Sequence, residues 1–179
     1  MDEKEYKYGL EVHDFKKSMQ KGKQAEDIFS KRLDERNLRY DSNVDSGGVH
    51  SHDFTVYFGT TPIRVEIKND IKALSTGNLA FEVKSSNNRD GWFVDPKADV
   101  YVVFVGSDIY VMHRVDFKYI RERNCNNWGR FRVVANKNYL SLVFPVPLKE
   151  LRRYKANDLD HAINIIYGMV KNHHRNKKV

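Results

Sequence analysis

The chain has 179 residues, 40% hydrophobic and 12% aromatic, which suits one folded domain with a real core and excludes both a disordered chain and two comfortable domains. Lys and Arg number 31 against 24 Asp and Glu, giving a net charge of +7 and a pI near 9.4, a balance that favours a polyanion such as nucleic acid as partner. No apolar run approaches the roughly 18 residues of a membrane span, the first residues lack a signal-peptide core, and the single Cys125 excludes an internal disulfide and a cysteine-based zinc site, so a cytoplasmic protein without a membrane partner is expected.

Residues 1–13 are charged and aperiodic and read as a loosely held lead-in. From 14 to 37, Phe15, Met19, Ala25, Ile28, Phe29 and Leu33 recur at three- and four-residue spacings among charged residues, which predicts an amphipathic helix. Gly22 is expected to interrupt this helix or to start its second half. Glu26 stands beside Ala25 at the edge of the apolar stripe, where it can reach the rim of a packed sheet. Residues 39–45 predict a short strand. The loop after it carries Gly47-Gly48, a pair that lets a backbone come close to a ligand or simply turns.

Two runs rich in Val, Ile, Phe and Thr, FTVYF and IRVEIK, then flank Gly59-Thr60 and predict a tight hairpin. If those two residues form the loop, paired residue numbers sum to 119 and Asp53 lies opposite Glu66, on a non-hydrogen-bonded pair. Alternation puts Phe54, Val56, Phe58, Ile63, Val65 and Ile67 on one face, all apolar. The other face carries Asp53, Thr55, Tyr57, Arg64, Glu66 and Lys68. Opposed carboxylates repel one another, so a compensating charge is needed. Lys68 is one candidate and a divalent cation another, because hard cations such as Mg²⁺ are held by one or two carboxylates plus substrate phosphates. The plainer alternative is a solvated polar face in which Lys68 neutralises its neighbours.

Residues 69–78 read as a loop and 79–84 as a strand neighbouring the hairpin, with Glu82 a further carboxylate if its polar side faces the same way. The turn-rich, basic stretch 85–99 holds Trp92 and Phe93, expected to be exposed. Residues 100–105 (VYVVFV) are continuously apolar, which predicts a strand covered on both faces, with 109–113 its hairpin partner. A short helix at 115–123, a peripheral hairpin around Asn136-Lys137 closed by Pro145 and Pro147, and a final helix at 148–171 complete the reading. That helix is expected to bury Leu148, Leu151, Leu159, Ile163, Ile166 and Met169. The predicted fold class is α/β, a mixed central sheet flanked by helices. A single domain spans 1–179, with its core at 14–113, an elaboration at 114–172 and a basic tail at 173–179.

A helix with Glu26, a strand with Asp53 and, after twelve intervening residues, Glu66-Ile67-Lys68 together resemble the PD-(D/E)XK nuclease superfamily, whose members include restriction, junction-resolving and repair nucleases. The resemblance covers about residues 21–113. His52 stands where the name pattern has Pro. Glu82-Val83-Lys84 with Asp70 upstream also fits the text string, but the loop between them offers no hairpin register. The resemblance implies a restriction-endonuclease-like core and a DNA phosphodiester hydrolase dependent on Mg²⁺, with Mn²⁺ a substitute. Carried over, Asp53, Glu66 and the carbonyl of Ile67 hold the metal, Glu26 is an outer or second-metal ligand, and Lys68 orients or deprotonates the attacking water. Glu82 is an additional candidate ligand. The chain's length favours structure-directed cutting at junctions, flaps or ends, or a homodimer that pairs two cuts. A small restriction-type enzyme and an inactive nucleic-acid-binding module on the same scaffold are the alternatives.

Two other readings have less behind them. His50 and His52 alternate along an extended stretch and could grip zinc with Asp53, but no further ligand is evident. His173 and His174 belong to the basic tail. Lys21, Lys23, Lys31 and Arg32 on the first helix, Arg89 and Lys97 near Trp92, and Arg121, Arg123 and Arg130 near Trp128 are candidate phosphate contacts, which position a nucleic acid without reading its sequence.

Overall fold

The hairpin marked by Gly59-Thr60 forms with the expected register, and the rest of the main sheet is built outward from it. In a computed structural model of the chain, residues 15–43, 52–84, 89–124, 131–135 and 140–175 are described, with 15–19, 21, 135 and 172–175 described by backbone alone. Outside the description lie the lead-in 1–13, Gly47-Gly48, His50, Cys125, Trp128, Arg130, the turn at Asn136-Lys137 and the end of the tail. The side chains of Phe15, Met19, Lys21, His173 and His174 lie outside it too.

In chain order the elements are α1 (Phe15–Glu35), β1 (Tyr40–Ser42), β2 (Phe54–Phe58), β3 (Thr61–Asn69), α2 (Lys72–Thr76), β4 (Asn78–Lys84) and β5 (Val100–Val105). There follow β6 (Asp108–His113), α3 (Arg114–Asn124), β7 (Arg132–Ala135), β8 (Leu140–Pro147), β9 (Lys155–Ala156) and α4 (Leu159–Arg175). The fold is α/β. Its central six-stranded sheet runs β1-β2-β3-β5-β6-β9, and a second sheet runs β4-β8-β7. Only β3 and β5 pair in parallel in the central sheet, so it is mixed.

Helices α1 and α4 cover one face of the central sheet. Ala25, Phe29 and Leu33, four residues apart, are buried against Phe54, Val56, Val65, Ile67, Val100 and Val102, and Ala162, Ile163 and Ile166 of α4 complete this cluster. These are the apolar hairpin positions that alternation assigned inward. Helix α1 stops in a Schellman motif: Asn37 takes a left-handed φ of 52°, its N–H donates to Asp34 O at 2.9 Å, and Leu38 N donates to Leu33 O at 3.0 Å. Asp158 caps α4 through the His161 N–H at 2.7 Å.

The opposite face is covered over only part of its width. The second sheet and α3 pack Phe81, Phe93, Phe117, Phe144 and Val146 onto Tyr101, Val103, Tyr110 and Met112, all from β5 and β6. The outward side chains of β2 and β3 take no part in that cluster. A step results: the β1–β3 portion is the floor, and the second layer is the wall.

Several expectations are corrected. Helix α1 runs unbroken through Gly22, and Ile28, assigned to its apolar stripe, is 55% exposed, because the buried row is Ala25–Phe29–Leu33. The loop at 69–78 contains α2, which Asp70 caps through Ala73 N at 3.1 Å. Phe93 is buried and Trp92 is half-buried, stacked on Tyr101 with centroids 5.4 Å apart. Strand β8 continues through Pro145 and Pro147 instead of closing there, and it joins β4 to β7, so the hairpin it forms with β7 belongs to a sheet. Residues 148–154 form two 3-10 turns and β9 pairs with β6, so the last helix begins at Leu159 and excludes Leu148 and Leu151.

Candidate active site

The described ladder of the hairpin ends at Phe54↔Val65, one pair short of placing Asp53 opposite Glu66. Asp53 turns out of the regular pairing. Its N–H donates to Val65 O at 3.0 Å, and its carbonyl accepts from Asn43 N at 2.8 Å. Its carboxylate then accepts the Ile67 N–H, with Oδ2 2.7 Å away. In continued register that N–H would meet the main chain of residue 52; a side chain has taken the acceptor's place. The expectation of two directly opposed carboxylates is corrected by this geometry. Asp53 still arrives at the Glu66-Ile67-Lys68 strand end, held there by a main-chain donor of that same stretch.

Glu66 and Lys68 alternate with buried Val65 and Ile67 and face the step. They flank Tyr101 and Val103 of β5 in parallel register. The Lys68 ammonium donates to Glu66 Oε1, and the side chains are 35% and 17% exposed. Tyr101, on β5 beside them, lies buried at the foot of the wall. Its hydroxyl accepts the Lys97 N–H at 3.1 Å, and burial, with Glu66 nearby, pushes its pKa up to about 12.

The site is electrostatically one unit. Burial raises the Asp53 carboxyl above its ordinary range, against the opposing pull of the Ile67 N–H, Lys68 and His52. Burial also raises Glu66, with Asp53 adding to the rise while Lys68 opposes it. Glu26 is raised by burial and then by the charges of Asp53 and Glu66, which places the α1 carboxylate at the border of the same group. Lys68 behaves in the opposite way for a base. Burial pulls its pKa down, but Glu66 and Asp53 outweigh burial and hold the side chain as an ammonium.

Glu82 does not join them. Strand β4 lies in the second sheet, where Phe81 packs inward and Glu82 faces the other way, its Oε1 accepting from Ser141 Oγ at 2.8 Å. The expectation that it is a metal ligand is corrected: alternation along β4 was read properly, but the sheet it belongs to was not. Of the zinc candidates, His52 shares a hydrogen bond with Thr55 Oγ1 at 2.8 Å. Several expected phosphate contacts already have partners: Arg32 pairs with Glu35 and Asp160, Lys97 with Asp95, and Arg121 donates to the Phe93 carbonyl.

Sequence reasoning missed two cationic features on the floor. Arg64 forks onto Asp99, with Nε–Oδ2 3.1 Å and an outer nitrogen 2.9 Å from Oδ1, and Arg114 adds a contact at 3.6 Å. Arg39 lies over the Tyr57 ring at 4.4 Å. The outward alternation of Tyr57 and Arg64 was the available signal; their partners come from distant or non-adjacent residues. A cavity of about 240 Å³ lined by Val83, Phe93, Phe131 and Phe144 belongs to the second cluster and not to the carboxylates.

The donor set suits a hard cation. Asp53, Glu66 and the Ile67 carbonyl supply oxygen only, and strand geometry directs that carbonyl to the same side as the Ile67 N–H. Burial is the chief cause of both raised carboxyl pKa values, with Asp53 adding to the rise at Glu66. Among the described residues no group of three or more His, Cys, Asp or Glu side chains is placed to hold a metal ion, so Glu26 does not join Asp53 and Glu66 in a three-carboxylate set. Two carboxylates and one carbonyl are fewer oxygens than a full shell for a hard cation needs.

No protein-family model matches the sequence, and no curated protein matches it. Solved structures similar to it include that of a bacterial homing endonuclease, with a TM-score of 0.45 and 19% identity over 56% of this chain and 71% of that chain. Among the described residues no helix is long and apolar enough to cross a membrane.

Proposed function

We propose that the protein is a Mg²⁺-dependent nuclease that hydrolyses DNA phosphodiester bonds, with Mn²⁺ able to substitute. The observation that carries this reading is the Asp53–Ile67 bond, which delivers a second carboxylate to the end of the strand bearing Glu66 and Lys68. Asp53, Glu66 and the Ile67 carbonyl would hold the ion, with Glu26 bordering it. A bound divalent ion supplies a water of lowered pKa and charge stabilisation at phosphorus. The chain's own residues do the rest. Lys68, held beside Glu66, binds a non-bridging phosphate oxygen and orients or deprotonates the attacking water. Tyr101 lies buried beside Glu66, and the second layer excludes solvent from one side of the pair.

The open floor admits duplex or branched DNA from the side, in keeping with structure-directed cutting. The experiment presents purified protein with linear, circular and four-way-branched DNA in Mg²⁺, Mn²⁺ or EDTA. Metal-dependent cutting of any of these supports the reading, and the substrate ranking reports its shape preference. Binding without cutting in either metal supports an inactive binding module instead.

A further inference from the structure

The floor of the step continues beyond the carboxylates to the hairpin tip, and Arg39 there makes no ion pair among the described residues. Arg39 precedes β1, and its main-chain carbonyl accepts the Tyr57 N–H at 2.9 Å. Its guanidinium lies 4.4 Å over the Tyr57 ring, and its side chain is exposed. Tyr57 is itself fixed, since its hydroxyl donates to Asp41 Oδ2 at 2.6 Å. Backbone, ring and Asp41 together hold the guanidinium on the face that Glu66 and Lys68 share. Arg64, between the two, differs: Asp99 occupies its fork.

Tyr57 pairs with Pro62, four residues along β3 from Glu66. At about 3.3 Å per residue that is about 13 Å along the strand, and Arg39 lies two strands over, about 10 Å across the sheet, so about 16 Å of floor separates it from Glu66. A cation laid flat at that distance from a phosphodiester-cutting centre, on a polar face that the second cluster leaves uncovered among the described residues of a chain with net charge +7, matches a nucleic-acid backbone in sign.

We infer that Arg39, stacked on Tyr57, is a positioning residue that grips a backbone phosphate away from the scissile bond, toward the hairpin tip, so that the β1–β3 floor is the track on which the DNA lies. This rests on the nuclease reading and extends it to a named surface. The Arg39–phosphate contact adds no chemistry to the cut. It sets register and affinity.

The test measures binding of a labelled DNA duplex in EDTA across a salt series, for wild type, Arg39→Ala and Arg39→Lys, beside cleavage in Mg²⁺ at saturating DNA. Arg39→Ala is expected to weaken binding about tenfold and to reduce the slope of log affinity against log salt by about one. Single-turnover cutting at saturation should be unchanged, and Arg39→Lys should recover the salt slope. Equal affinity and slope in Arg39→Ala, with wild-type DNA binding intact, overturns this inference and leaves the nuclease reading standing. Wild-type protein that neither binds nor cuts DNA overturns both. Normal binding with lost turnover in Arg39→Ala overturns the positioning role.

Discussion

The Asp53 carboxylate takes the hydrogen bond from Ile67 N that a regular strand would give to main-chain oxygen at residue 52. That substitution ends β2, turns Asp53 toward Glu66, and makes the carboxylate's position depend on the hairpin's own hydrogen bonding. Asp53→Ala therefore removes more than a charge. It leaves a partly buried N–H without its acceptor and is expected to destabilise the fold by about 1–3 kcal/mol, read as a lowered denaturation midpoint.

Asp53→Asn isolates the charge. The folded-state pKa of Asp53 is raised, chiefly by burial, so the ionised form opposes folding above that pKa. Relative to the ionised state, this group favours folding below its unfolded pKa, and that contribution is lost as pH rises through the folded pKa. Asparagine can keep the Ile67 bond without the charge. In metal-free buffer at pH 8, Asp53→Asn should be more stable than wild type by roughly 1 kcal/mol, about 3 °C at this chain length. The gain should shrink toward pH 4. Thermal melts across pH check this, and a constant or inverted difference contradicts the electrostatic account.

Gly22 lies inside α1, and a Cβ added there meets nothing within 4 Å. No contact requires the glycine. Gly22→Ala should raise stability by about 0.5–1 kcal/mol through helix propensity alone, measurable by chemical denaturation. Gly91 is the opposite case. A Cβ there would sit 2.3 Å from the Glu82 carbonyl oxygen, against backbone. Gly91→Ala should cost more than about 2 kcal/mol or require the second sheet to shift.

Glu82 separates the two layers functionally. Glu82→Gln should preserve metal-dependent cleavage to within about twofold, because its carboxylate serves Ser141 in the second sheet. Ser141→Ala should also leave cleavage intact while lowering stability by about 1 kcal/mol. Loss of cutting in Glu82→Gln at unchanged stability would return Glu82 to the site.

What was readable in the chain was local. The hairpin register follows from two turn residues and a period of two, so the apolar face of β2 and β3 and the outward Glu66 and Lys68 could be derived before any fold was known. The stripe Ala25–Phe29–Leu33 was readable from its helical spacing, and it puts Glu26 next to a buried position. Glu82 failed for the complementary reason. Its strand alternates correctly, but its sheet is decided by pairing with β8, about sixty residues away. Residues 148–154 carry helix-like apolar spacing, yet Ala156 pairs with Ile109, and that strand contact overrides local periodicity. The Asp53 bulge could not be read either, since a carboxylate replacing a backbone acceptor leaves no periodic trace.

The central claim is that Asp53, Glu66 and Lys68 form one hydrolytic site. It is tested most directly by single-turnover cleavage of saturating DNA in Mg²⁺, comparing wild type with Lys68→Ala under conditions where both are shown to be folded and bound to DNA. The account predicts that Lys68→Ala binds DNA but cuts it at least about 100-fold more slowly. Wild-type rates in that variant would contradict it.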